Sequence, residues 1–157
     1  MSNNGSPEIE LLDLPPECPE RTVRRFAAEV LKLGGVGSGG AAVCIAFIDD
    51  DEIRRLNREF RGVDSPTDVL AFPTDPEVPA PAGGYLGDVA VAVPTARRQA
   101  AELGHSALEE LLTLVGHGLL HLFGHDHESD GGEMSRLESE VRKQILPRFC
   151  REGESLV

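Results

Sequence analysis

The sequence predicts an α+β fold, a single domain over residues 1–157 built on one mixed four-stranded sheet and about five helices. Three observations predict it. Four short segments rich in β-branched and apolar residues are interleaved, in uneven order, with segments of helical period. No internal repeat or second compositional block divides the chain. A length of 157 residues is also enough to bury a core without disulfides or other staples.

Taken in order, residues 1–7 read as a polar, disordered tail. "EIELLDL" is a first edge strand, ended by Pro15 and Pro16. "ERTVRRFAAEVLKL", from Glu20 to Leu33, aligns Val23, Phe26, Ala27, Val30 and Leu31 on one helical stripe, and "GGVGSGG" breaks it. That glycine run lacks lysine and Walker spacing, so it reads as a connection and not as a nucleotide loop. "AAVCIAFI" is a buried strand. Asp49, Asp50 and Asp51 then suit the N-terminus of a helix through "EIRRLNREF". "RGVDSP" is a turn, "TDVLAFP" a short strand stopped by Pro73, and "TDPEVPAPAGG" a loop.

"YLGDVAVAV" is the fourth strand, and "PTARRQAAELG" is a helix with proline at a permitted first position. Ser106 and Glu109 make a capping-box pattern that opens the long helix "ALEELLTLVGHGLLHLF", with Gly124 placed to end it. Its core stripe is Leu108, Leu111, Val115, Leu119 and Leu122. "GEMSRLESEVRKQILPRF" is a last amphipathic helix.

Composition narrows function only partly. Forty per cent of the residues are apolar and 27% charged, as in ordinary globular proteins. Cys18, Cys44 and Cys150 show no paired spacing, which points to reduced thiols in a cytoplasmic setting. "MSNNGSPEIE" has no basic segment followed by an apolar run, and no apolar stretch is long enough to span a membrane, so neither a leader nor a membrane partner is expected. A net charge of −12 argues against a surface that binds nucleic acid everywhere. It leaves room for a local basic groove, because charges beyond about 10 Å are screened at ordinary salt.

The chemistry concentrates in "HGLLHLFGHDH", residues 117–127, which holds four of the five histidines. His117 and His121, four apart on a helix, project from one face about 40° apart around the axis. Gly124 reverses the chain so that His127 can return as a third ligand. Three neutral imidazoles leave one tetrahedral position open, the arrangement of a catalytic zinc site with one Zn2+ per chain. Asp126 is placed to hold a ligand imidazole from behind. His125 reads as a bystander or a substrate contact, His105 as a surface residue, and Met134 as core.

The same spacing occurs in the metzincin peptidases, whose motif is H-E-x-x-H-x-x-G-x-x-H. Where they carry a glutamate as general base, this chain has Gly118. A zinc peptidase is therefore the alternative, not the lead.

A second constellation lies in "EIRRLNREFRG". Ile53, Leu56 and Phe60 are expected to face inward, while Arg54, Arg58 and Arg61 fall on an adjacent stripe with Arg55 nearby. Such a stripe reads either as a solvated face paired with Asp50, Asp51, Glu52 and Glu59 or as an anion clamp. If Arg61 points toward the metal, a Lewis acid stands beside a phosphate grip, which suits phosphodiester hydrolysis. Asp68 and Asp88 read as orienting loops near the site or as capping turns, and Ser65 and Thr67 as phosphate contacts or as turn residues around Pro66. Turn chemistry is the simpler reading of all four.

"NREFRGVDSPTDVLAFP", "GYLGDVAVAV" and "HGLLHLFGHDH" together, in that order, resemble the signature segments of the YbeY family of bacterial zinc-dependent endoribonucleases, also described as ribosomal RNA maturation factors. The resemblance covers residues 45 to 130 well, and the whole chain in length and element order. It implies a zincin-like site with zinc on His117, His121 and His127, and a role for Arg61 in RNA cleavage. His117 and Arg61 are then the groups nearest the chemistry, with Arg61 and Arg58 as substrate contacts. It also implies single-stranded RNA as substrate, work in small-subunit (16S) ribosomal RNA processing and ribosome quality control, and a cytoplasmic setting. A ribosome or ribosome-associated partner would supply affinity that so acidic a chain lacks. His125 departs from the tyrosine usual in the family. Attack by water and attack by the RNA's own 2′-hydroxyl both remain open, as does an assembly factor whose zinc is structural.

Overall fold

A computed structural model describes residues 7–35, 41–74, 84–123 and 132–155, with side chains as far as Arg151. Among the described residues the strands are β1 (Glu8–Leu12), β2 (Ala42–Ile48), β3 (Val69–Pro73) and β4 (Tyr85–Ala92). They form one sheet in the order β1-β2-β4-β3. β1 and β4 each run parallel to β2, whereas β3 is antiparallel to β4. The sheet is thus mixed and four-stranded, as expected, with β1 and β3 as its edges.

Alternation along the strands divides the sheet into two unequal faces. Ile9, Val43, Ile45, Phe47, Val89 and Val91 enter the main core, which α1 (Glu20–Leu33) and α4 (Ala107–Leu122) cover. Phe26 of α1 packs edge-to-face on Phe149, with ring centroids 5.9 Å apart. The opposite face carries a smaller cluster of Ile53, Leu70 and Ala92 beneath α2 (Asp50–Arg61). α2 starts where the acidic run places it, because the Asp49 side chain accepts from the Glu52 N–H at 2.8 Å. α3 (Val93–Leu103) follows β4 directly, with Pro94 in its first turn. α4 is capped by Ser106, whose hydroxyl accepts from the Glu109 N–H at 3.1 Å.

Two expectations about helices change. Phe60 does not face inward but is 65% exposed. It lies on the Ile53 stripe seven residues further along, at the end of α2, where Phe72 of the edge strand meets the ring and leaves most of it uncovered. The last helix is interrupted as well. α5 (Glu133–Glu140) passes through a π-helical turn, Val141–Ile145, into α6 (Leu146–Ser155). Pro147 explains the turn: its ring would collide with the carbonyl four residues earlier, and a locally widened helix relieves that collision.

Candidate functional site

The edge strand β3 organises the site, because α4 rests on one of its faces and α2 on the other. Val69 and Phe72, an odd number of residues apart, point to opposite faces. Gly118 of α4 lies against Val69 and Val89, and Phe60 of α2 lies against Phe72 with ring centroids 5.4 Å apart.

Gly118 lacks a side chain for a steric reason. A Cβ built there would stand 2.5 Å from Val89 Cγ1 and 3.2 Å from Val69 Cγ2. Valine has little rotational freedom with which to yield. The position that bears the general base in metzincin peptidases is thus pressed onto the sheet, where a glutamate has no room.

One turn along the same helix, the His117 and His121 rings meet at 72° with centroids 4.5 Å apart. Their Nε2 atoms face each other at 3.0 Å. His117 Nδ1 contacts Glu138 Oε2. With an ionised carboxylate, which only accepts, and a neutral imidazole, this contact puts hydrogen on His117 Nδ1 and leaves the Nε2 lone pair to face His121. Two nitrogens on a tetrahedral zinc at about 2.0–2.1 Å lie about 3.3 Å apart. The pair therefore needs to open by only a few tenths of an ångström to hold such an ion, and the donor set fits zinc.

The expected third ligand, His127, lies outside the described residues, as do Gly124, His125 and Asp126. Among the described residues no group of three potential metal ligands assembles.

Glu138 is a residue that sequence reasoning missed. Asp126, expected to hold an imidazole from behind, lies outside the described residues, and Glu138, 21 positions from its histidine partner, meets His117 Nδ1. One signal could have found it. Met134, Leu137, Val141 and Ile145 are buried along the C-terminal helix, and Glu138 is an acid set into that stripe.

His117 and Glu138 line a cleft of about 200 Å³ shared with Asp68, Thr113, Leu120 and Arg142. Arg142 is exposed and makes no ion pair among the described residues. Asp68 has its carboxylate 3.4 Å from Gln99 Nε2, and its carbonyl accepts from the Ala92 N–H. Arg58 and Arg61 are outside the described lining of this cleft, at the C-terminal end of α2.

Along α2 the arginines divide into committed and uncommitted groups. Arg55 pairs with Glu52 and Glu59, and Arg54 with Asp64 at 2.9 Å. Arg58 stands 3.7 Å from the same Asp64 oxygen. Arg61 makes no ion pair among the described residues, and Gly62 at φ 73° ends the helix immediately after it. Asn57, buried at 4% exposure, donates from Nδ2 to the Ser65 carbonyl at 2.9 Å and pins the turn that follows Arg61.

Several remaining residues are structural. His105 is not a free surface residue: its Nε2 lies 2.7 Å from Glu110 Oε1, and Glu110 is buried at the start of α4. Met134 is fully buried. Asp88 accepts from the Tyr85 hydroxyl on β4. Cys18 and Cys44 are buried free thiols, and burial pushes both upward, to about 12 and about 11. Among the described residues, no helix is long and apolar enough to cross a membrane.

Comparison with known proteins agrees with this geometry. Residues 13–146 match the family model described as Endoribonuclease YbeY. A relative of that name from Moorella thermoacetica is 48% identical over 132 residues, covering 80% of this chain and 82% of its own length. Another, from Aquifex aeolicus, is 43% identical over 137 residues, covering 84% and 88%. The solution structure of TM1509 from Thermotoga maritima superposes with a TM-score of 0.60 at 28% identity, covering 94% of this chain and 92% of that one.

Proposed function

The chain belongs to the endoribonuclease YbeY family, and from that premise we propose that it cleaves single-stranded ribosomal RNA, with zinc held by His117, His121 and His127. One observation carries the metal assignment: the Nε2 atoms of His117 and His121 converge while Glu138 occupies Nδ1 of His117. Metal-ligating histidines ordinarily use their second nitrogen in this way, which fixes the tautomer and the ring orientation. When bound, zinc supplies Lewis acidity toward a phosphate oxygen.

The chain's own residues do the rest. Glu138 holds the imidazole of His117 at a fixed angle, with hydrogen at Nδ1. Leu120, Val141 and Leu146 form an apolar wall beside these polar groups. Arg142 on the cleft, and Arg61 with Arg58 at the end of α2, receive phosphate oxygens through planar guanidinium forks. A net charge of −12 makes these local cations decisive, since the rest of the surface repels a polyanion. The same repulsion favours a ribosome or ribosome-associated partner that delivers the RNA, in a cytoplasmic setting and in small-subunit rRNA maturation.

Elemental analysis beside an RNA-cleavage assay tests the proposal. The expected result is one zinc per chain, with cleavage abolished by chelator and by His117→Ala. Arg61→Glu should lower kcat/KM on the order of a hundredfold without unfolding the protein. Full cleavage by metal-free protein would sink the metal assignment. Unfolding of His117→Ala, together with a folded parent that never cuts RNA, would make the zinc structural.

A further inference from the structure

We infer that Phe60 is a stacking platform for an unpaired nucleobase of the RNA, adjacent to the phosphate grip of Arg61; the inference rests on the reading of RNA as substrate. Phe60 is 65% exposed, while Phe26, Phe47 and Phe149 are all buried. A single exposed apolar residue is ordinary, and by itself it carries nothing. Here three further features surround it.

The ring is braced, since Phe72 meets it at 67° from the edge strand and leaves most of its surface open. The next residue, Arg61, is a cation without an acidic partner among the described residues, in a chain with 27 acidic and 15 basic side chains. The turn beyond is fixed by Gly62 in the left-handed conformation and by the hydrogen bond from Asn57 to the Ser65 carbonyl. An aromatic face beside a positive charge, both on rigid backbone, is complementary to one nucleotide, with base on ring and phosphate on guanidinium. Double-stranded RNA keeps its base faces stacked on each other and offers no such surface. Preference for single strands would therefore arise here, on the opposite face of β3 from the histidines.

The chain contains no tryptophan, so Phe60→Trp introduces a unique indole. The metal-loaded protein is titrated with a short single-stranded RNA, and with a matched oligomer that carries abasic sites in place of its bases. Stacking predicts that the RNA quenches the indole and the abasic oligomer does not. It also predicts that Phe60→Leu weakens binding of the RNA roughly five- to hundredfold, that Phe60→Tyr restores it, and that binding of the abasic oligomer is unaffected. An unquenched indole at saturation, or parental affinity in Phe60→Leu, overturns the platform and leaves the metal site standing. A parent that binds no RNA overturns both readings. Loss of a protein partner in Phe60→Leu, with RNA affinity intact, reassigns the patch to protein docking.

Discussion

α4 and α2 lie on opposite faces of the same edge strand, yet they are built for different work. Eleven of the sixteen residues of α4 are buried, so each polar group on it must be answered by another protein group. His117 is met by Glu138 and Glu110 by His105. In the twelve residues of α2 only Ile53 and Asn57 are buried, and its charged groups face water. Exposed ion pairs such as Arg55–Glu59 are weakened by solvent, so they restrain α2 without locking it. A buried helix can hold ligands at a fixed separation, whereas an exposed one can offer cations and a ring to a flexible chain. Changes in α4 should therefore act on folding and metal binding, and changes in α2 on RNA.

The largest effect is expected at Gly118. Gly118→Ala places a Cβ inside the contact distance of Val89, and overpacking of this kind costs roughly 1–3 kcal/mol or more. The better helix propensity of alanine offsets only about 1 kcal/mol of that. Gly118→Glu, which would recreate the peptidase motif, adds a buried carboxylate and should yield insoluble protein. Denaturant midpoints check the first substitution, and Val89→Ala should restore stability more than additively when combined with it. Parental stability in Gly118→Ala would mean that α4 is not seated on the sheet as described.

Next comes Glu138. Glu138→Gln retains an acceptor oxygen but loses the charge, and should weaken zinc about tenfold; Glu138→Ala should approach a hundredfold. Competition with a chromophoric chelator measures both. Since Glu138 is partly exposed at the cleft, folding should change little. Unchanged zinc affinity in both variants would separate Glu138 from the site and blur the contrast between the two helices.

How far these two regions were legible in sequence follows from the range of the forces involved. Helical period located α1, α2, α4 and the histidine pair, and local capping at Asp49 and Ser106 marked two helix starts. Those signals act within a turn or two of helix. Phe60 was misplaced because period says which stripe a residue lies on, not how completely the sheet edge beneath covers it. Glu138 and Arg142 were missed because they reach the His117 cleft through the packing of the C-terminal helix, and no local spacing encodes that. His105 looked superficial because its partner, Glu110, is an acid that burial renders dependent on it.

The smallest effect separates the helices most cleanly. Asp50, at the start of α2, ties it to α3: one carboxylate oxygen accepts from Thr95 Oγ1 at 2.8 Å and the other from Arg98 Nη2 at 2.8 Å. Burial alone would raise this acid, but the donors from Arg98 and Thr95 outweigh it and hold the group below its ordinary range. A carboxylate depressed in the folded state adds stability above its unfolded value of about 3.9, and that stability is lost as pH falls through the folded value. Asp50→Asn should therefore cost about 1 kcal/mol at pH 7, with the difference from the parent shrinking below about pH 4. Paired urea titrations across that range check the sign. Zinc content should not change at any pH where the parent keeps its own, because α4 does not depend on this tie. If Asp50→Asn sheds zinc at neutral pH, the two faces of β3 are mechanically coupled, and α2 helps to set the geometry of the histidines.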